Sequence, residues 1–270
     1  MKARLLLSSL LLAFILLALW LLGLDQSPRE SGEIPRLSQV AAGSIDRIRI
    51  LRKNAEALSF ARQEGEWRMQ SPENFRARQS RIDALLGILS SRSFFQIDAN
   101  EANLKLFQLA PPEVSLLLND LRFDFGSTEP IDERRYVMTG NIIHLVNDSL
   151  YHQLRQASSF YASDRLIASN EQITSIDFNA LSPAQLEEDS EQGVSALAPA
   201  WQNARAGKVN SYQRSDGFSG ATIKVKFSSG HSAVFDVLSS DPLLVLGRAD
   251  IGLQYSLNKE QTNKLLPGQK

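Results

Sequence analysis

The chain has 270 residues, 43% of them apolar and 22% charged, with a formal net charge of −1 and no cysteine. This composition excludes a disordered chain, and the absence of cysteine excludes disulfides, thiolate chemistry and a lipid-modified cysteine. Setting aside Lys2 and Arg4, 27 basic residues stand against 30 acidic ones, a net of −3; with no basic face of that origin, no nucleic-acid partner is expected.

The first predicted element is the charge-free run of twenty residues from Leu5 to Leu24. A helix rises about 1.5 Å per residue, so this run matches the roughly 30 Å hydrocarbon core of a bilayer. Its polar side chains are Ser8 and Ser9, whose hydroxyls can bond back to the carbonyls of such a helix, and Trp20 suits the far interface. Lys2 and Arg4 flank the near end and Asp25 the far end, so the N-terminus stays cytoplasmic and the rest is exported. A cleaved signal peptide would have an apolar core of about 7–15 residues and a small-residue cleavage site. Gly23-Leu24-Asp25-Gln26-Ser27 makes no such site, and an uncleaved anchor over 1–24 is the expectation.

Residues 25–44 read as a linker, with Pro28, Gly32, Pro35 and Gly43 and no sustained period. A first α+β module is expected over 45–112. Ile45–Ile50 alternates apolar and polar residues, Ala57–Arg62 follows, and Glu64-Gly65-Glu66 turns into Trp67-Arg68-Met69. Ser80–Ser91 has apolar residues at 82, 85, 86 and 89, helical spacing with Ser80 at the N-cap position.

A second module is expected over 113–172. Val114–Leu118 and Leu121–Gly126 are strands about the turn Asn119-Asp120. Arg135–Met138 and Ile142–Val146 form a hairpin through Thr139-Gly140-Asn141. Asp148-Ser149 is predicted to cap a helix carrying Leu150, Leu154 and Ala157. A third module is expected over 173–270. Gln172–Phe178 alternates, Ser182–Ala206 is helical at both ends with Pro199 interrupting, and Ala221–Phe227 and Ser232–Leu238 form a hairpin. Strands follow at Pro242–Leu246 and Gln254–Leu257, with a closing helix over Lys259–Leu266. The expected fold class is α+β, repeated antiparallel-meander-plus-helix modules after one N-terminal transmembrane helix.

The order of these residues resembles the DUF4340 family. The resemblance is carried by Gly65-Glu66-Trp67-Arg68-Met69, Pro72 and the helix at Ile82–Leu89. It continues through Leu121–Gly126, Glu129-Pro130, Arg135-Tyr136-Val137 and Ile142–Val146 to Asp164-Arg165-Leu166-Ile167, and covers roughly Ile45 to Phe178. The family's Tyr-Gly-Leu stretch is replaced here by Phe107-Gln108-Leu109 and Pro111-Pro112. The resemblance brings no catalytic residues. It implies a place beside an ABC-type transport or gliding-associated membrane system.

No motif names a reaction. His144, His152 and His231 lack metal-ligand spacing. Asp148, Ser149 and His152 fit a helix start better than a triad. Gly217-Phe218-Ser219-Gly220 is not a nucleophile elbow, and Glu187-Glu188-Asp189 is a solvated acidic run. Trp67 and Trp201 read as core anchors. Arg248, Asp250 and Tyr255 interrupt the apolar run Leu243–Leu257, which leaves a buried Arg–Asp pair or a binding edge as readings. The candidate interaction surface is the charged loop Asp132-Glu133-Arg134-Arg135.

The expected function is therefore non-enzymatic: a single-pass protein of a bacterial inner membrane, held in the bilayer by residues 5–24, with its C-terminal part in the periplasm. It would serve as a binding or scaffold component of an inner-membrane complex, possible partners being other inner-membrane or periplasmic proteins, without a cofactor or metal. The alternative is an envelope hydrolase or a ligand-sensing domain whose site sequence order hides.

Overall fold

The computed structural model of the chain describes residues 35–179, 192–214 and 220–266. The expected membrane segment, the acidic run at 187–189 and all but the last residue of the Gly217–Gly220 stretch lie outside them. Among the described residues no helix is long and apolar enough to cross a membrane. The fold is antiparallel sheet with a few short helices, an α+β architecture.

The first meander is β1 (Arg47–Arg52), β2 (Ala55–Gln63), β3 (Glu66–Ser71) and β4 (Phe75–Arg76). Alternation sends Ile48 and Ile50, Leu58 and Phe60, and Trp67 and Met69 to one face, where all six are buried. Helix α1 (Gln79–Leu86) and the 3-10 turn Gly87–Ser90 lay Ile82, Leu85, Leu86, Ile88 and Leu89 into the same core. Ser80 is not its N-cap. Arg78 holds that position without a side-chain cap: its carbonyl accepts the first intrahelical bonds, from the Arg81 N–H at 3.0 Å and the Ile82 N–H at 3.3 Å.

After β5 (Phe95–Asp98) comes the second meander, β6 (Val114–Leu118), β7 (Leu121–Thr128), β8 (Arg135–Thr139) and β9 (Ile142–Val146). The two meanders form one nine-stranded sheet, β4-β3-β2-β1-β6-β7-β8-β9-β5. Its middle is the antiparallel pair of β1 and β6, with Ile50 opposite Leu116. From that pair outward the two halves run in the same order. Each outer edge is then extended by the other half's chain. β5, which follows the first helix, pairs with β9. The segment at Ala162, which follows the second helix, bridges Ala77 beyond β4, and the Ser163 N–H donates to the Arg76 carbonyl at 2.9 Å.

The helix expected from Asp148 onward is reduced to α2 (Tyr151–Leu154), with Leu150 at its N-cap and no side-chain cap. Asp148 does not cap it, because its carboxylate accepts a 2.7 Å hydrogen bond from Arg135 instead. On the opposite face of the sheet the loop of residues 99–110 covers a smaller apolar cluster, in which Ala99, Leu109 and Ile143 are buried. Phe107 meets Tyr136 edge-on there, ring centres 4.7 Å apart.

The second sheet contains β10 (Ile173–Asn179), β11 (Lys208–Ser211), β12 (Thr222–Phe227), β13 (Ser232–Ser239), β14 (Leu244–Arg248) and β15 (Leu253–Leu257), in the order β10-β12-β13-β14-β15-β11. Helices α3 (Gln192–Asn203) and α4 (Lys259–Leu265) accompany it. Pro199 does not interrupt α3 but lies inside it, at the expense of one intrahelical N–H donor. Trp201, fully buried, ties the layer together. Its indole N–H donates to the Leu265 carbonyl at 2.9 Å, and its ring meets Phe235 at 5.4 Å. Helix α4 opens with a capping box between Asn258 and Gln261. Buried side chains of both sheets belong to one continuous core, from Ile48 and Phe123 to Ile223 and Leu246.

Candidate functional site

The loop expected to be an interaction surface is divided by the structure. Glu129 organises it: its carboxylate accepts the backbone N–H groups of Ile131 at 2.8 Å and Asp132 at 2.6 Å. These bonds, the Ile131 one foremost, hold its carboxyl below the usual carboxylate range. Asp132 and Glu133 are exposed at the tip, where Glu133 takes a left-handed φ of 55°. Arg134 pairs with Asp132 at 3.1 Å and stacks over Phe94. Arg135 opens β8 and is 9% exposed. It donates to the Gly126 carbonyl and to Asp148, and lies over the Tyr151 ring at 3.6 Å. It is an internal strut; only the first three of the four present themselves outward.

The remaining sequence candidates separate in space. His144 is buried, with Nδ1 2.9 Å from Ser93 Oγ. His152 contacts Gln156 on its own turn, while Asp148 is held by Arg135, so these two do not form a relay. His231 is exposed in the β12–β13 turn. Arg248 and Asp250 do pair, through two hydrogen bonds of 2.8 and 2.7 Å. The pair is buried at one end: the Arg248 side chain is 15% exposed and packs over Phe235, while that of Asp250 is 58% exposed. Trp67, 2% exposed, lies in the core with Arg62 against its ring at 5.1 Å.

A different set of residues converges where the first sheet ends and the second unit begins. A groove of about 290 Å³ is lined by Glu66 and Trp67 of β3, Arg76 of β4, Ala77–Ser80 at the start of α1, Ser163–Arg165, and Arg205. Local structure brings them together. The bridge of Ala77 to Ala162 sets Arg76 and Arg78 beside Ser163 and Asp164, and the bridge of Arg165 to Arg205 brings in the second unit. The Ala206 N–H fixes that crossing by donating to the Asp164 carbonyl at 2.7 Å.

Four guanidinium groups thus face two carboxylates. Arg76 donates to Glu66 at 2.5 Å and to Asn170 at 3.2 Å. Asp164 is shared between Arg205 at 3.3 Å and Arg78 at a looser 3.8 Å. Among the described residues the Arg165 side chain has no hydrogen-bond or ion-pair partner. The Nε–H groups of Arg76 and Arg78 are shielded from solvent without an acceptor. Two positive charges are left over; Arg76 and Arg78 are the shielded cations, where the lower dielectric strengthens their field, while the Arg205 side chain is 53% exposed.

Sequence reasoning missed this groove because its arginines come from positions 76, 78, 165 and 205, with no common spacing. The Arg76-Ala77-Arg78 alternation before a helix and the Asp164-Arg165 pair were the available signals.

The molecule is thus an α+β protein of two antiparallel sheets on one core, with a cationic groove at their junction. The chain belongs to the DUF4340 family: the family's model, described as a domain of unknown function, matches residues 67–223. The match begins in β3, later than the resemblance at Ile45 suggested, and continues past Phe178 into β12. It contains all four groove arginines and Asp164. No curated protein and no solved structure matches the chain.

Proposed function

We propose that the chain is a single-pass binding or scaffold protein of a bacterial inner membrane, its folded part standing in the periplasm as an arm of a larger membrane complex. In this reading it consists of repeated meander-plus-helix modules behind one N-terminal transmembrane helix. The observation that carries the reading is the charge-free run Leu5–Leu24, preceded by Lys2 and Arg4 and followed by Asp25. The two sheets on a continuous core support it, since such a body holds its surface features in fixed relation. The groove supports it too. Arginine stays charged at all physiological pH and donates without accepting, so this site is equipped to hold and orient an anion rather than to exchange protons. An ABC-type transport system is the partner that the family resemblance implies, and the exposed Asp132 and Glu133 with the half-exposed Arg134 are a contact surface for it.

The test is a mild-detergent co-purification of tagged full-length protein, beside a form lacking residues 1–24, with mass spectrometry of what accompanies each. Inner-membrane subunits should accompany the full-length form, and those that also accompany the truncated form are bound by the folded part. If neither form brings down a membrane protein, the scaffold reading fails.

A further inference from the structure

The groove has properties that go beyond a general contact surface. Its two uncompensated positive charges match the −1.5 to −2 or so that a phosphate monoester carries near neutral pH. Guanidinium forks match the geometry of phosphate oxygens. Among the described residues the Arg165 side chain has no hydrogen-bond or ion-pair partner to give up, and Arg205 shares Asp164 with Arg78 at 3.3 and 3.8 Å, which leaves further N–H groups of both in reserve. Gln79 and Ser80, at the first turn of α1, line the same wall, and Arg78 provides no side-chain cap there. The orphan N–H groups of a helix start add donors of the right sign. A volume of about 290 Å³ suits a phosphate with a small organic group, not a polymer.

We propose that this groove is a binding site for a phosphate-bearing ligand, with Arg165 and Arg205 as its principal ligand-holding side chains and Arg76 and Arg78 as the fixed cations behind them. Ser80 and Ser163 supply hydroxyl donors at its rim. The phosphate can belong to a soluble ester or to a lipid headgroup, and the same chemistry serves either source.

The full chain, purified in a nonionic maltoside detergent, is titrated calorimetrically with inorganic phosphate, glycerol 3-phosphate and dihexanoyl phosphatidic acid. Saturable binding of at least one is expected. It should be weakened tenfold or more in the double variant R165A/R205A. Binding should be unchanged within twofold in K53A/R155A, which removes two cations from the separate hollow lined by Arg52, Lys53 and Arg155. Circular dichroism and the thermal midpoint check that each variant is folded. Should R165A/R205A not fold, R165Q alone serves, because among the described residues the half-buried Arg165 side chain has no hydrogen-bond or ion-pair partner to lose, and a threefold or greater loss is then expected. Binding of glycerol 3-phosphate as tightly as the lipid supports the site with a soluble ester as its source. Binding of the lipid alone supports it with a headgroup as its source. The proposal is overturned if none of the three binds, if the groove variant binds as the unaltered chain does, or if K53A/R155A loses as much. These outcomes are independent of the co-purification result, since phosphate binding needs no membrane partner.

Discussion

Gly126 is the residue on which the second meander meets the loop that crosses it. A Cβ at this position would fall inside the van der Waals envelope of the Phe107 carbonyl oxygen and against the Leu109 side chain, while the neighbouring Ser127 N–H donates to that same carbonyl at 2.8 Å. The loop backbone cannot withdraw without losing this bond. Gly126→Ala should therefore destabilise the chain by about 3 kcal/mol, read as a lowered urea midpoint. The glycine that helped mark the family resemblance has a steric reason. His144 offers a second residue-scale test. Burial lowers its pKa from the ordinary 6.5, so the folded chain favours the neutral ring and the unfolded chain takes up a proton first. Stability from this group is complete above pH 6.5 and falls as pH drops from there through the lowered folded value. Urea midpoints measured between pH 8 and 5 should decline at the acid end, and His144→Asn should flatten that part of the decline.

At the scale of elements, Arg135 and Arg134 are adjacent in sequence and opposite in role. Arg135→Ala leaves the carbonyl of buried Gly126 without its side-chain donor and frees the more exposed Asp148, and should cost about 2 kcal/mol. Arg134→Ala removes one half-exposed surface pair and one ring contact, and should change stability by less than about 1 kcal/mol. Chemical denaturation of the two variants side by side gives the comparison. The same pair illustrates what sequence order reveals. β8 and β12 were legible because they bury alternate residues, and β7, β9 and β13, which bury consecutive residues as well, because turn residues delimit their apolar runs. β4, β5 and β11 were not. They are two to four residues long, and β5 leaves Phe95 59% exposed, so no burial pattern announces it. The helix expected from Asp148 onward is shortened to α2 for a different reason, since Asp148, its expected cap, pairs with an arginine thirteen positions earlier. The groove was illegible for the same class of reason: only backbone bridges between distant segments assemble it.

For the molecule as a whole, the continuous core implies that the two sheets unfold together. Trp67 lies in the first sheet, and Trp201 packs on the second, so each reports its own half. With Trp20 replaced by Phe, the W67F and W201F variants should show fluorescence transitions at the midpoint that circular dichroism gives for the same variant. A tryptophan signal that changes at a different denaturant concentration from the backbone signal would show that the sheets are separate cooperative units. Hydrogen exchange should be slowest in β1 and β6, which have neighbours on both sides at the centre of the nine-stranded sheet, and fastest in the edge strand β5.

The crossed-over edges of that sheet bear on how the chain is made. A ribosome releases β1–β4, α1 and β5 well before β9 exists, so β5 emerges with no strand to join, and the open side of β4 waits longer still for Ala162. The first half therefore cannot finish its sheet alone, however soon it collapses. Two polypeptides divided in the loop between β5 and β6 would each carry the missing margin of the other. Mixed in one tube, they should reassemble into a folded pair, whereas either one alone should remain incomplete and prone to recruit a second copy of itself along its bare edge.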